Sequence, residues 1–295
     1  MTALLTKVKA NMTIHAHRKM RGLLEGEYAS IYHGHSMDFD DLREYVVGDE
    51  IRDIDWKATA RHTSPLVKRY VAHRRHALGI IVDSGRNFDA IAASGESKRE
   101  LAILLAGMTG YLAVRHGDDV MLMHGDAEHT APSRLKGTEA HLEQLLRGIQ
   151  SAGGRGRASD VRRQLTWAAE HLRRRMMILV IADDIGLVRE DMPLLRRLSA
   201  QHEMMWLTVS DAQLTGFGRG AVPFDISDDR HLPIPHELLG GKELAEQYAH
   251  AEAERKHRTE GFLRSAGIAH VRVDDSRHAL RQLRRLMRKQ HALRR

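Results

Sequence analysis

The sequence predicts an α/β protein in which helices cover both faces of a doubly wound, mainly parallel β-sheet. Three short apolar runs, at residues 77–82, 176–182 and 204–209, have the composition of strands that are buried on both faces. Stretches with the apolar spacing of amphipathic helices separate these runs. Strands that alternate with helices are typical of a parallel sheet, because two parallel neighbours need a crossover connection between them.

The elements around the first central strand follow from turn residues and apolar spacing. Ser64 and Pro65 mark a turn, after which residues 66–71 are predicted to form a strand that hairpins or crosses into residues 77–82. A helix is predicted over residues 98–115, because apolar side chains recur there at helical spacing.

The rest of the chain continues this alternation. Gly107 and Gly110 lie away from the apolar face of their helix, so they allow a neighbour to pack closely. Residues 120–123 are predicted as the next strand, and Thr138 is expected to cap the following helix. The later elements are an edge strand at 268–273 and helices at 161–172, 193–200, 241–266 and 277–290. Glycine, proline and aspartate are frequent near 210–240, which indicates a loop excursion rather than another domain.

The composition limits the classes of protein to which the chain can belong. Lysine and arginine number 46 and aspartate and glutamate 39, a formal charge of +7 that favours anionic partners, although a solvated basic surface is the simpler interpretation. The absence of cysteine excludes disulfides and thiolate metal sites. No apolar run reaches the length of a membrane span, and the start of the chain lacks the apolar core of a signal peptide, so we predict a cytoplasmic protein.

Charged and large apolar residues alternate between positions 43 and 61. The set comprises Arg43, Glu44, Tyr45, Gly48, Asp49, Arg52, Asp55, Trp56 and Arg61. A buried carboxylate or guanidinium is tolerated only when it is paired, so this density predicts partly buried ion pairs around a buried Trp56. Alternatively, Asp49, Asp53 and Asp55 could hold the metal ions of a hydrolase. We favour the structural interpretation, because the interleaved arginines would compete with a cation.

The order R-E-Y-x-x-G-D-x-x-R-x-I-D-W-x-x-x-A-R in this segment, followed by L-V-K and a strand that ends in Asp83, resembles domain-of-unknown-function family 58. The resemblance extends over roughly residues 26–210. It implies a signature segment packed on a von Willebrand factor A-like domain of the Rossmann-like type. We therefore divide the chain into a basic N-terminal segment (1–25), the signature segment (26–75) and an α/β domain (76–295) with a basic C-terminal helix.

The resemblance also implies a function. Members of this family are commonly encoded near MoxR-type AAA+ ATPases and are thought to act with them in the chaperone-like maturation or assembly of other proteins. The implied function is that of a non-enzymatic protein-interaction module, whose partners are such an ATPase and, as a further option, other von Willebrand A-like proteins. The sequence pattern pairs no nucleophile with a base, so we predict that the protein is not an enzyme.

A candidate metal site is implied as well. Von Willebrand A-like domains have D-x-S-x-S after the first central strand, and this motif holds Mg²⁺ together with a Thr and an Asp from two other loops. The chain has Gly85 and Asn87 at the two hydroxyl positions, whereas Ser159 and Asp183 match the Thr and the Asp. The candidate ligands of this degenerate site are Asp83, Asn87, Ser159 and Asp183. We expect it to bind Mg²⁺ weakly or not at all, because Arg86 can place its guanidinium where the cation belongs.

Two basic regions are candidate contact surfaces. Arg86, Arg155 and Arg157 lie in the loops around the candidate metal site, and we expect them to contact acidic side chains of the ATPase. The C-terminal helix has a basic stripe of Arg277, Arg281, Arg284 and Arg288. A basic nucleic-acid binder is therefore an alternative function, and contact with an anionic membrane is a weaker alternative that we do not predict. Because no aromatic residues are interleaved for base stacking, we predict no specific nucleic-acid binding.

Overall fold

The computed structural model describes the greater part of the chain. The described residues are 3–15, 22–28, 39–46, 49, 51, 54–61, 64–70, 75–153, 157–184, 187–212, 226 and 242–293. The strands are β1 (Phe39–Glu44), β2 (Leu66–Tyr70), β3 (Ala77–Asp83), β4 (Asp119–Gly125), β5 (Thr130–Pro132), β6 (Met177–Ala182), β7 (Glu203–Val209) and β8 (Ala269–Val273). The helices are α1 (Leu4–His15), α2 (22–28), α3 (Trp56–Thr59), α4 (Lys98–Arg115), α5 (Glu139–Ser151), α6 (Val161–His171), α7 (Met192–Gln201), α8 (Lys242–Ser265) and α9 (Ala279–Leu293), with 3-10 turns at Arg86–Asp89 and Arg189–Asp191.

Strands β3 to β8 form the central sheet in the order β5-β4-β3-β6-β7-β8. Strands β4, β3, β6, β7 and β8 are parallel, and β5 pairs antiparallel with β4 at one edge. Val82 of β3 lies opposite His124 of β4 on one side and Ile181 of β6 on the other. From β3 the chain runs outward to β4 and β5. It then crosses to β6 on the other side of β3 and runs outward to β7 and β8. The predicted doubly wound, mainly parallel sheet is therefore confirmed, with its switch point between β3 and β6.

Helices cover both faces of this sheet because alternate strand residues point to opposite sides. In β3, Leu78, Ile80 and Val82 belong to one apolar cluster, while Ala77 and Ile81 belong to the other. The first cluster includes residues of α1, α4, α5 and α9, and the second includes residues of α6, α7 and α8. Every residue of β3 is buried, as expected for a central strand between two helical layers.

Helix α4 packs closely against two neighbouring helices. A Cβ atom at Gly107 would lie 2.6 Å from Val8 of α1, and a Cβ atom at Gly110 would lie 2.5 Å from Leu142 of α5. The close packing predicted at these two glycines is confirmed, since a side chain at either position would displace its neighbour. Thr138 caps α5 as predicted, because its hydroxyl accepts a hydrogen bond from the first turn of that helix.

The described N-terminal helices α1 and α2 pack into the core of the α/β domain. Val8 of α1 is buried, and α1 contacts both α4 and α5. The Glu143 carboxylate of α5 accepts hydrogen bonds from the amides of Leu4 and Leu5 at 3.1 and 2.8 Å, which anchors the start of α1. In α2, Tyr28 is fully buried.

The signature segment forms a separate two-stranded sheet. Strands β1 and β2 pair antiparallel, with Arg43 opposite Val67, and the short helix α3 precedes β2. Of the two connections predicted from β2 to the first central strand, the hairpin is wrong, because β4 and β6 occupy both edges of β3, whereas the crossing connection remains. Of the described elements of the segment, α3 contacts β2, while Tyr28 is buried and its hydroxyl donates to Asp118 of the α/β domain at 3.1 Å.

The later elements begin and end within a few residues of their predicted bounds, and β8 lies at an edge of the sheet as expected. We did not predict β5, a three-residue strand that ends in a proline. Most of the loop excursion predicted near 210–240 lies outside the described residues. Among the helices that the structure describes, none combines the length and the apolar character that crossing a membrane requires.

Candidate functional site

Neighbouring parallel strands of the central sheet carry acidic side chains at or just after their carboxyl ends. We call the side of the sheet where these ends lie the carboxyl edge. Asp83 is the last residue of β3, Asp183 directly follows β6, and Asp211 follows β7. Asn87, in the 3-10 turn after β3, and Ser159, in the loop before α6, lie beside them. The four candidate ligands therefore converge as the strand ends predicted, because parallel strands align their carboxyl ends.

Hydrogen bonds connect these residues directly. Asn87 Nδ2 donates to Asp183 Oδ2 at 2.9 Å, and the backbone amide of Asn87 donates to Ser159 Oγ at 3.3 Å. Asp83 Oδ1 accepts from the amide of Gly85 at 3.0 Å, and the Asp83 carboxyl also bonds to the Ser159 hydroxyl. Because an ionised carboxylate can only accept, Asn87 turns its amide nitrogen rather than its oxygen toward Asp183. Each candidate ligand is thus engaged by a neighbour within the protein.

Burial dominates the electrostatics of Asp83. Only 1% of this residue is exposed, and the loss of hydration raises the pKa of its carboxyl from 3.8 to about 7. The hydrogen bonds from Gly85 and Ser159 lower this pKa, whereas the negative charge of Asp183 raises it. A substantial fraction of Asp83 is therefore protonated at neutral pH.

A buried lysine that the sequence analysis missed lies against these acids. Lys98 is the first residue of α4 and is fully buried; its Nζ lies 3.5 Å from Asp183 Oδ2 and forms a second ion pair with Asp211. A buried ammonium group is tolerated beside carboxylates that compensate its charge. The sequence offered one indication of this contact, the position of Lys98 in the first turn of a helix. A positive charge there opposes the helix dipole and therefore suggests a nearby acid. We refer to the following residues as the carboxyl-edge cluster: Asp83, Asn87, Lys98, Ser159, Asp183 and Asp211.

Lys98 is a cation against Asp183 in addition to the arginine that the sequence analysis expected at this site. The role predicted for Arg86 stays a prediction. Arg86 is half-buried at the rim of the cluster, where its backbone amide donates to the carbonyl of Arg157 at 2.8 Å. Arg155 lies outside the described residues.

The residues of the cluster do not fit Mg²⁺. This ion requires oxygen ligands in a nearly octahedral arrangement at about 2.1 Å. Asp183 Oδ2 already accepts a hydrogen bond from Asn87 and contacts Lys98, and Asn87 presents nitrogen. A Cβ atom at Gly85 would lie 2.5 Å from Ser159 Cα, so a hydroxyl side chain does not fit there. In the part of the chain that the structure describes, no three His, Asp or Glu side chains are arranged to hold a metal.

The rim of the cluster presents both charged and apolar side chains. Arg157 Nε lies 3.1 Å from Glu128 Oε2, so an acidic neighbour neutralises part of its charge. Ile91 and Val188, in the loops after β3 and β6, are 47% and 43% exposed. The described residues of this surface are thus both charged and apolar, and the expected contact with acidic side chains of a partner stays a prediction.

Residues 41–255, well over half of the chain, match a family model described as Protein of unknown function DUF58. The chain belongs to this family. The resemblance inferred from the signature is thereby confirmed. The chain is 30% identical over 201 residues to the uncharacterized protein Mb1516 of Mycobacterium bovis and to the uncharacterized protein Rv1480 of Mycobacterium tuberculosis. The match covers 66% of this chain and 61% of each relative, so it spans less than two thirds of their length.

Three solved structures are similar to this DUF58 chain at low identity. An aerotolerance-related membrane protein from Bacteroides fragilis has a TM-score of 0.47 at 15% identity, and the match covers 72% of this chain and 99% of that one. The conserved hypothetical protein BatB from Bacteroides thetaiotaomicron has a TM-score of 0.45 at 16% identity, with 73% and 98% covered. A von Willebrand factor type A structure from Catenulispora acidiphila has a TM-score of 0.40 at 10% identity, with 75% and 43% covered. Likenesses at this level say nothing about what the DUF58 chain does.

The signature segment of this DUF58 chain is more exposed than its sequence predicted. Trp56 is 64% exposed, so its predicted burial is wrong. Asp55 is satisfied locally, because it caps α3 by accepting hydrogen bonds from the amides of Lys57 and Ala58, both at 3.0 Å. The cap satisfies the aspartate at the start of a short helix, none of whose residues is buried.

The other carboxylates of the signature are also engaged locally. Arg43 Nη2 lies 2.5 Å from Asp49 Oδ1, and this contact holds the pKa of Asp49 below its usual value. Glu44 accepts a hydrogen bond from the Ser64 hydroxyl at 2.8 Å. The hydrolase alternative loses support, because Arg43 and the first turn of α3 already bind Asp49 and Asp55. Of the remaining signature residues, Tyr45 is half-buried and Arg61 is exposed, whereas Gly48, Arg52 and Asp53 lie outside the described residues.

Proposed function

We propose that this DUF58 chain is a non-enzymatic protein-interaction module that acts with a MoxR-type AAA+ ATPase in the chaperone-like maturation or assembly of other proteins. One observation supports an interaction role above others: the carboxylates of the carboxyl-edge cluster are bound inside the protein by Asn87, Lys98 and Ser159, while the rim around them is exposed. Polar groups that are satisfied internally make a surface rigid, and such a surface can be recognised by a partner.

Catalysis would require a nucleophile or a base that reaches a bound substrate. Asp83 and Asp183 are buried, and their hydrogen bonds and ion pair are directed inward. The nearby Ser84 hydroxyl donates to the carbonyl of Gly125 at 3.0 Å. The polar groups at this edge therefore maintain the structure of the loops, which favours binding over chemistry.

The rim determines the chemistry of the partner that would fit. Arg157 presents a partly exposed guanidinium group there, and Ile91 and Val188 present apolar side chains. A partner surface with carboxylates among apolar residues would complement this mixture, since charged groups orient an encounter and apolar contacts hold it. The family resemblance suggests a MoxR-type ATPase as the protein that has this surface.

Association of the full chain with a purified MoxR-type ATPase from the same organism tests the proposal. Surface plasmon resonance at low salt, with the ATPase in its ATP and ADP states, measures the affinity. Ile91→Asp and Val188→Asp should each weaken binding by about tenfold or more, because a contact then buries an unpaired charge. Ile14→Asp is the matched control: Ile14 is an apolar residue of α1 that is 75% exposed, and its variant should bind like the wild type.

Two results would contradict the proposal. If no complex forms in either nucleotide state, the ATPase is not the partner. If Ile91→Asp and Val188→Asp bind as tightly as Ile14→Asp, the rim of the carboxyl-edge cluster is not the contact surface.

A second candidate function, non-specific nucleic-acid binding, is favoured by a groove on α9. The groove has a volume of about 350 Å³ and is lined by Arg281, Arg284, Arg285, Arg288, Lys289 and Ala292. The apolar face of α9 is buried in the core. Arg284 and Arg288 lie near Glu27, whereas Arg281 and Arg285 are exposed, where anions can reach them. DNA binding that falls steeply with salt and is lost in an Arg281→Glu, Arg285→Glu double variant would support this function. Absence of binding even at about 50 mM salt would exclude it.

A further inference from the structure

We infer that Lys98 supplies, from inside the fold, the positive charge that a divalent cation would otherwise bring to the carboxyl-edge cluster, so that this edge of the sheet requires no metal. The inference concerns the cluster itself and is independent of the partner. One consequence is that a partner binds at this edge without a divalent cation, and this consequence rests on the proposed function.

The first observation is the position of the ammonium group. Lys98 Nζ contacts Asp183 at 3.5 Å and also pairs with Asp211, and these acids follow the neighbouring strands β6 and β7. Lys98 is fully buried, so water screens its charge little. One tethered cation thus compensates carboxylates from two loops, which is the electrostatic role of a bound metal ion.

The second observation is that other groups already occupy the remaining ligand positions. The side-chain amide of Asn87 donates to Asp183, and Asp83 is bound by the Gly85 amide and the Ser159 hydroxyl. Ser159 also fills the space beside Gly85. A hydrated octahedral ion would have to displace several of these contacts at once.

The third observation is that the ion pair lies within a hydrogen-bonded block. Two backbone hydrogen bonds, 3.1 and 3.3 Å long, join residues 91–93 to residues 210–212 around Asp211. The backbone amide of Lys98 donates to the carbonyl of Ala90 at 3.2 Å. These bonds hold the start of α4 against the segment after β7, so they keep the ammonium group between its two acids.

Metal titration of the full chain with MgCl₂ and MnCl₂, at constant ionic strength, tests this inference by calorimetry and thermal unfolding. For the wild type we expect no binding at micromolar metal and an unchanged Tm. Lys98→Met keeps the length of the side chain but removes its charge, so we expect a lower Tm that millimolar metal partly restores. Lys136→Met removes an exposed lysine and should behave like the wild type in both measurements.

Micromolar Mg²⁺ binding by the wild type, lost in Asp83→Asn, would overturn the inference. A Lys98→Met protein with the Tm and the metal response of the wild type would also overturn it. If Lys98→Met does not fold, Asp211→Asn replaces it: the variant loses one acid partner of the buried ammonium, so its Tm should fall, and an unchanged Tm would refute the role of the pair. Neither measurement involves the ATPase, so a missing complex contradicts the proposed function alone.

Discussion

Replacing Gly85 by serine tests the geometry of the carboxyl-edge cluster, although serine is the residue that the D-x-S-x-S pattern has at this position. A Cβ atom there would lie 2.5 Å from Ser159 Cα and 2.6 Å from Ser159 Oγ, so the backbone around Ser159 has to move. Overpacking of this kind costs about 1–3 kcal/mol. The displaced Ser159 would also lose its hydrogen bonds with Asp83 and Asn87, at about 1 kcal/mol each. We therefore expect the free energy of unfolding to fall by about 3–5 kcal/mol.

Urea unfolding followed by circular dichroism measures this change. Gly261→Ala is the control, because Gly261 lies in α8 and a Cβ atom there would meet nothing within 4 Å. This control should gain about 0.5–1 kcal/mol, since alanine favours a helix more than glycine does. A Gly85→Ser protein as stable as the wild type would refute the close approach of Ser159 and would make room for a hydroxyl ligand at this position.

Two further predictions concern the burial of Asp83 and of Trp56. The pKa of Asp83 is raised from 3.8 to about 7, so the folded protein binds this proton more tightly than the unfolded chain does. Its stabilising contribution is fully present below about pH 4 and is lost as the pH rises through about 7, a change of about 4 kcal/mol. Asp83→Asn should flatten this slope in urea unfolding between about pH 4 and pH 8, and an unaltered slope would contradict the assignment. Trp56→Ala should change the free energy of unfolding by less than about 1 kcal/mol, because Trp56 is 64% exposed, whereas Trp206→Ala in the buried strand β7 should cost about 3–5 kcal/mol. Equal losses for the two tryptophan variants in thermal melts would restore the burial of Trp56 that the sequence suggested.

The central sheet could be predicted because its evidence is local. The apolar runs of β3, β6 and β7 are short and continuous, which indicates burial on both faces without reference to any partner. The helix between β3 and β4 has a continuous apolar spacing, and its two glycines allow the contacts that α1 and α5 make. The position of Asp83 and Asp183 at one edge follows from the same reasoning, because parallel strands end on the same side.

Elements with short or shared patterns could not be predicted in the same way. Strand β5 has three residues, which is too short for an alternation of apolar and polar side chains to be visible. The partner of β2 depends on which strands occupy the two edges of β3, and this is a property of the assembled sheet.

The sequence by itself determined the signature of the family, the doubly wound sheet and the edge at which Asp83, Asn87, Ser159 and Asp183 meet. Only the tertiary structure decided that Lys98 is a buried cation against Asp183 and that Trp56 is exposed. The physical reason is that strand and helix periodicity is set by neighbouring residues, whereas the burial of a charged or aromatic side chain depends on which distant segments surround it. The acids that compensate Lys98 come from the ends of two later strands, so their proximity exists only once the sheet has formed.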